Sequence, residues 1–594
     1  MRSDDGKMTK GTTDSGQRPA GASKAPRERR VLYHGRSRAR FDTLVAAMAT
    51  AEGAELSKHL GLPILSYEGE RYRFLPVTDV DGAQGVLGSS YVSLVVVDLC
   101  GEEASVERCH AARRLFHSLD RTDDRELRYG FHRILVLLPE VGDGPLDDLL
   151  LELGNLGIRH TMRLAHEDDE GTVHADGGSK VLRRISALVH DRDPGPTALV
   201  ANGGGITGIY FELGALKCLD DCLGPGGVNL FDQFYGISAG AVITALLSVG
   251  YTVDEQMAAI AGVPGGRIPA MSLSLLRFGH LNLVDQFWRW RKFTWTGLKA
   301  VSRIARGKGR GTADDLFLEW TSLVGAPFQS DGFEAMLRER LEVPGGTNRF
   351  QDLPRKLYVG ASDQDARRAV LFGAPGYDMV PISKAVQASL SINPAFSGVR
   401  IGDRFYEDGA ITRTSNYVEA IENGARLLMV LDPFVPYVSK KAGANNRRGM
   451  LYNVDQDIRT MSFTRFESTR DLVLRKHPDV SSYTFLPANS QRKLLSVNPM
   501  DHRPYLPIWR AAYLSTLQRI EQLQHRLGGD LAARGRSLDI SRAVEVAQRL
   551  RRQTKVDFAD FFPNRRVELA KVPLIGEGAP AGSSAVRRTL AAAE

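Results

Sequence analysis

Cysteine is scarce in this chain: Cys100, Cys109, Cys218 and Cys222 are the only four among 594 residues, and none forms a CxxC pair. That density excludes a disulfide framework, and the spacing excludes a zinc site of paired Cys/His ligands. Cys218 and Cys222 sit four apart in a helical pattern, which predicts buried thiols on one helix face in a reducing compartment. No metal and no cofactor is expected. Long apolar runs are also lacking. The longest, Ala239–Val249, is well short of the roughly 20 residues that span a bilayer. The first thirty residues, MRSDDGKMTKGTTDSGQRPAGASKAPRERR, hold no apolar stretch of the kind a secretory signal needs. The expected location is therefore cytoplasmic, soluble or peripheral at a membrane. Charge of one sign is not in large excess either. With 77 Lys and Arg against 70 Asp and Glu, the net charge is +7. An excess that thin argues weakly for nucleic acid and fits an anionic membrane surface equally well.

What is present is globular composition, 43% hydrophobic and 25% charged, and enough chain for two to four domains at about 100–200 residues each. Residues 1–29 read as a disordered tail, as do 575–594. Between 30 and 193, VLYHG, YRFLPV, VSLVVVDL, RILVLLP and IRHTMRL read as five strands of a small, doubly wound, parallel α/β domain. The turn-rich stretch His190–Thr197 is the linker. A second α/β unit runs over 197–437 with an insertion at about 253–348, and 438–574 reads as a mainly helical C-terminal extension. In that extension Ile508, Trp509, Ala512, Tyr513, Leu517, Ile520, Leu523 and Leu527 fall near one helical stripe.

Three motifs carry the chemistry. Gly236-Ile237-Ser238-Ala239-Gly240 is a GxSxG that closes a short strand, QFYGI, and opens an apolar helix, as a nucleophile elbow requires. The hydroxyl of Ser238 would project at a helix N-terminus, where amides and macrodipole favour negative charge. Upstream, Asn202-Gly203-Gly204-Gly205-Ile206-Thr207-Gly208 again joins a strand to a helix. Bare amides at three successive glycines can cradle a phosphate or a tetrahedral oxyanion. Its spacing is also GxGxxG, a dinucleotide fingerprint, which would need an acid such as Asp232 at the end of the next strand. The third motif, Glu407-Asp408-Gly409-Ala410, follows the strand-like RIGDRFY; taken alone, a D-G pair is an ordinary turn.

In this order, and with AVQASLSINPAFSGVRIGDRFYEDGAI leading into the last, the motifs resemble the patatin-like phospholipases over about 197–437. The resemblance implies a three-layer α/β/α hydrolase domain that cleaves fatty-acyl esters of lipids without a cofactor. It implies Ser238 as nucleophile and Asp408 as base of a two-residue dyad. The amides of Gly203, Gly204, Gly205 and Ala239 would form the oxyanion hole, with Gly208, Gly236, Gly240 and Gly409 as motif positions. One departure stands out: Thr207 occupies the place where the family commonly has a basic residue. The first domain resembles a degenerate response-regulator receiver, with Asp98 closing the third strand. His34-Gly35 replaces the paired acids and no lysine follows the fifth strand, so Mg²⁺ would have few ligands.

Alternatives stay open at this point. His477, His502 and His525 follow Asp408 in the Ser–Asp–His order of a triad. A non-catalytic, lipid-binding regulatory scaffold on the same fold is the second function class. Inside the insertion, Gln286–Arg310 (QFWRWRKFTWTGLKAVSRIARGKGR) carries eight bases, no acid and three of the five tryptophans. Such a segment suits the headgroup region of an anionic membrane. The expected partners are a lipid substrate, an anionic membrane surface met through Gln286–Arg310, and a signalling partner of unknown kind for the first domain; nucleic acid is not among them.

Overall fold

The computed structural model describes residues 28–576 apart from 101–104, 121–123, 125, 127, 165–172, 191–193, 272–290, 292–293, 296–329, 394 and 498–501. Both expected tails therefore lie wholly or largely outside the described residues. So does Gln286–Arg310, save Arg291, Thr294 and Trp295. The chain divides into two compact units: residues 1–87, 92–118 and 133–191 make one, and 88–91, 119–132 and 192–594 the other. Among the described residues no helix is long and apolar enough to cross a membrane.

The first unit holds seven strands, β1 (Glu28–His34), β2 (Glu55–His59), β3 (Leu62–Tyr67), β4 (Glu70–Val77), β5 (Leu94–Asp98), β6 (Ile134–Pro139) and β7 (His160–Leu164). Their order is β2-β3-β4-β1-β5-β6-β7. The five strands read from the sequence are β1, β4, β5, β6 and β7, which pair in parallel. The two unforeseen strands pair antiparallel at the β4 edge. Each joins its neighbour through two residues of positive φ, Leu60-Gly61 (52° and 76°) and Glu68-Gly69 (50° and 77°). That is the twist a tight hairpin demands. Asp98 is buried and spoken for: it accepts from Arg40 Nε at 2.9 Å, Tyr33 Oη at 2.6 Å and the Cys100 amide at 2.9 Å.

The second unit is built on an eight-stranded sheet of β8 (Thr197–Ala201), β9 (Gln233–Ile237), β10 (Lys356–Asp363), β11 (Arg368–Phe372), β12 (Val399–Ile401), β13 (Arg404–Asp408), β14 (Leu427–Leu431) and β15 (Ser481–Phe485). The order is β12-β13-β10-β9-β8-β14-β15, with β11 also on β10. Its centre is parallel, and its β8, β9 and β14 residues are buried throughout, as apolar runs covered on both faces should be. Strand β15 comes from the stretch expected to be helical; SSYTF, with Tyr483, Thr484 and Phe485 after two serines, pairs with β14. The rest of that extension is helical, chiefly Met450–Lys476, Tyr505–Ala533 and Ser541–Arg552. All eight residues of the stripe from Ile508 to Leu527 are buried. The helix Tyr505–Ala533 packs closely on the helix Gly205–Leu223, where a Cβ on Gly214 would lie 2.7 Å from the Trp509 carbonyl. All four cysteines are buried and none forms a disulfide.

Candidate active site

The parallel strands β8 and β9 end on the same edge of the sheet, and each turns there directly into a helix. Strand β8 gives way to Asn202–Gly204 and the helix Gly205–Leu223; β9 gives way to Ser238 and the helix Ala239–Val249. A helix leaves its first amides without intrahelical partners. Two such sets, from Gly205 onward and from Ala239 onward, open on one sheet edge. Ser238 itself stands at φ 52° and ψ −120°, a backbone that costs a non-glycine residue on the order of 1–3 kcal/mol.

The surroundings hold that bend in place. The Ser238 amide donates to Ser389 Oγ at 2.8 Å, and Ser389 Oγ donates to the Gly360 carbonyl at 2.6 Å. The turn is also too tight for side chains on its flanks. A Cβ at Gly240 would lie 2.2 Å from the Ala201 carbonyl oxygen, and one at Gly236 would lie 2.4 Å from Ala241 Cα. Gly203 comes next to the hydroxyl: a Cβ there would lie 3.0 Å from Ser238 Cβ and 3.6 Å from its Oγ. Gly205 takes φ 66°, while Gly204 and Gly208 pack against Pro433. Thr207 is buried and donates to the Leu495 carbonyl at 3.3 Å.

Strand β10 brings the third motif in. Its Gly360 stands opposite Ile237 on β9, and its Ala361 stands opposite Asp408 on β13. Side chains 170 positions apart (408 less 238) thereby reach successive places along one strand. The Asp408 backbone is fixed on both sides, its amide donating to the Ser391 carbonyl at 3.0 Å and its carbonyl accepting from Ser362 Oγ at 2.9 Å. Gly409 fits because a Cβ there would meet the Gly360 carbonyl at 2.5 Å. The Asp408 carboxyl caps the short helix Gly409–Ile411, accepting from the Ala410 amide at 2.9 Å. Both residues are buried, Ser238 at 7% and Asp408 at 1% exposure. Burial pushes the Asp408 carboxyl up to about 6, against the pull of the Ala410 amide and the Ser238 hydroxyl. Among the described residues, the groups that act on that carboxyl are the Ala410 amide, Ser238 and Glu407.

The acid that a dinucleotide site would need lies elsewhere. Asp232 precedes β9, and its carboxylate accepts from the amide and hydroxyl of Thr197 at 2.8 and 2.7 Å. It thus ties together the starts of β8 and β9, at the far end of both strands from the glycine loop. Other residues at the site gave no sequence signal. Ser389 and Ser391 lie in the helix Ile382–Leu390 and at its C-cap, within the segment that leads into the third motif. Glu212 and Asp432 are buried acids beside the glycine loop. Burial, then Asp432, raises Glu212 well above the carboxylate range; burial holds Asp432 at about 6. A polar residue inside an apolar pattern is the only trace such groups leave in sequence. Among the described residues no cluster of His, Cys, Asp or Glu could hold a metal ion.

Residues 199–421 match the family model described as patatin-like phospholipase and form a domain of that type. A 57-residue stretch is 44% identical to the cUMP-AMP-activated phospholipase of Escherichia coli, covering 10% of this chain and 18% of that protein. The chain thus spans about a fifth of the length of this curated relative. Among solved structures, VipD from Legionella pneumophila is 14% identical over 61% of this chain and 82% of that one, with a TM-score of 0.23. Full-length ExoU of Pseudomonas aeruginosa, solved in complex with SpcU, is 14% identical over 58% of this chain and 61% of that one, with a TM-score of 0.21.

Proposed function

We propose that the patatin-like domain hydrolyses fatty-acyl esters of lipids, phospholipid or lysophospholipid first, through a Ser238–Asp408 dyad. The observation that carries this reading is a buried Asp408 carboxyl that β10 brings to the Ser238 elbow, at the N-termini of two helices. A serine hydroxyl is a poor nucleophile until a base takes its proton, and an aspartate held near pH 6 is a better base than one at 3.8. Ser238 Oγ attacks the ester carbonyl as its proton passes to Asp408. The oxyanion is received by amides of Gly203, Gly204, Gly205 and Ala239, each such donor being worth on the order of 10²–10³ in rate. The alcohol leaves with the proton from Asp408, and an acyl-enzyme remains. Water, deprotonated by Asp408, then releases the fatty acid and restores the serine.

In the same proposal residues 30–193 are a receiver-like regulatory module. Asp98 there is a structural anchor for Arg40 and Tyr33 rather than a phosphate acceptor. Residues 438–574 extend the hydrolase domain of 197–437, and Gln286–Arg310 meets an anionic membrane surface in the cytoplasm. A fluorophosphonate probe tests the dyad. Wild type should be labelled and Ser238→Ala should not; an unlabelled wild type of intact fold would leave a lipid-binding scaffold as the better reading.

A further inference from the structure

The helix Met450–Lys476 buries several polar side chains and exposes several apolar ones. A surface helix ordinarily buries its apolar stripe and shows its polar one. Here the inward positions are Gln456, Arg459, Ser462, Phe466 and Arg470, all buried. The outward positions are Met450, Val454, Ile458, Met461 and Leu472, between 43% and 75% exposed. At about 100° per residue these five fall within an arc of roughly 80°; Met450, Val454, Ile458 and Met461 make an unbroken apolar stripe about 16 Å long, and Arg465 and Ser468 separate it from Leu472. The inner polar residues have structural reasons to be there. Arg459 donates to Asp455 at 2.8 Å and to the carbonyls of Pro433 and Leu495 at 3.4 and 3.3 Å, with its guanidinium 4.4 Å from the Phe434 ring. Arg470 donates to Thr484 Oγ1 at 2.8 Å. The outer stripe has no comparable account, and contiguous exposed apolar surface of this kind marks a binding face.

Charge indicates what binds. From Val438 to Arg465 the exposed bases are Lys440, Lys441, Arg447, Arg448 and Arg465. Asp455 is paired with Arg459, which leaves Asp457 as the exposed acid. Apolar side chains rimmed by bases match the boundary of an anionic bilayer, which takes up the first and attracts the second. The face also abuts the candidate site. Arg465 Nη1 donates to the Ile411 carbonyl at 3.5 Å, and Ile411, itself 38% exposed, closes the short helix that Asp408 caps.

We propose that the outward face of Met450–Lys476, with its basic rim, docks the protein on an anionic lipid surface. Only the consequence, that docking sets the Ser238 site against its substrate, rests on the hydrolase reading. Full-length Ser238→Ala protein would be co-sedimented with vesicles of phosphatidylcholine and phosphatidylglycerol in equal parts, and with pure phosphatidylcholine. Ile458→Ser with Met461→Ser should weaken binding to the mixed vesicles at least roughly tenfold. Lys440→Glu, Lys441→Glu and Arg447→Glu together should weaken it by roughly a hundredfold or more and abolish the preference for the anionic lipid. With Ser238 in place, both variants should cleave a soluble short-chain ester at the wild-type rate, which shows that they fold. Unchanged vesicle affinity in both variants overturns the proposal. So does a wild-type dimer in sedimentation velocity that Ile458→Ser with Met461→Ser dissolves, since the face would then belong to a second copy. A wild type inert toward the soluble ester sinks the hydrolase reading alone, and the Ser238→Ala vesicle result still decides docking.

Discussion

Asp408 should govern how activity responds to pH. Its carboxyl ordinarily titrates at 3.8 and is raised to about 6 by burial, with the Ala410 amide and the Ser238 hydroxyl pulling the other way. The difference amounts to about 3 kcal/mol in favour of the neutral form. The folded protein therefore holds this proton more tightly than the unfolded chain. The contribution to stability is complete below 3.8 and is lost as pH rises through 6. Activity runs in the opposite sense, because only the ionised carboxylate can accept the serine proton. The rate of fluorophosphonate inactivation, or kcat/KM for a soluble ester, should rise about tenfold per pH unit in the acid range and level off above an inflection near 6. Asp408→Asn should abolish the inflection and lower the plateau by roughly 10²–10⁴. It should also make the protein more stable at pH 8, because a buried charge has gone. Temperature separates a carboxylate from an imidazole, since ionisation of the former is nearly athermal and that of the latter is not. An inflection that falls markedly on warming, or that survives in Asp408→Asn, would refute the reasoning and return a histidine to the mechanism.

Two further outcomes follow from the same geometry. Ser389→Ala removes the acceptor of the Ser238 amide and should lower kcat on a soluble ester about tenfold with KM and the pH inflection unmoved, a split that stopped-flow and steady-state assays can read. Lys217→Met removes the ammonium that lies 3.0 and 2.9 Å from the buried carboxylates of Asp221 and Asp254, so that Asp221 keeps Arg542 and Tyr513 while Asp254 loses its ion partner; urea unfolding should report a loss of about 3–5 kcal/mol.

Legibility in the sequence followed burial. The strands β1, β4, β5, β6, β7, β8 and β9 were readable because continuous apolar runs bounded by turns have few other physical outcomes. The hairpin strands β2 and β3 were not. ELSKH is exposed at every position, so it carries no apolar alternation, and the turns that place it are Leu-Gly and Glu-Gly rather than the Asn-Gly or Asp-Gly that would announce a hairpin. Strand β15 was hidden for another reason: five residues between long helices weigh little against their surroundings. At the candidate site, the sequence exposed the groups that need special backbone, because glycine is the only residue that tolerates a carbonyl 2.2 Å from where its Cβ would be. It concealed Ser389, whose role depends on a hydroxyl meeting one amide across the fold.

The helix Met450–Lys476 shows the limit of periodic reading most clearly. Hydrophobic periodicity assigns the apolar side of a helix to the core, which is sound whenever burial of apolar surface is what holds the helix in place. Here the inner face is held by directed bonds from Arg459 and Arg470 as well as by Phe466, which packs in a core cluster with Val473 and Leu474 against it. Arg459 also reaches the carbonyl of Pro433, the residue packed on Gly204 and Gly208 of the glycine loop. The helix therefore has two different claims on its two sides, one from the loop that borders Ser238 and one from whatever meets its methionines. Polar anchoring on the inside leaves the outside free to be apolar, and a lipid-facing surface placed there would stay in register with the hydroxyl it serves.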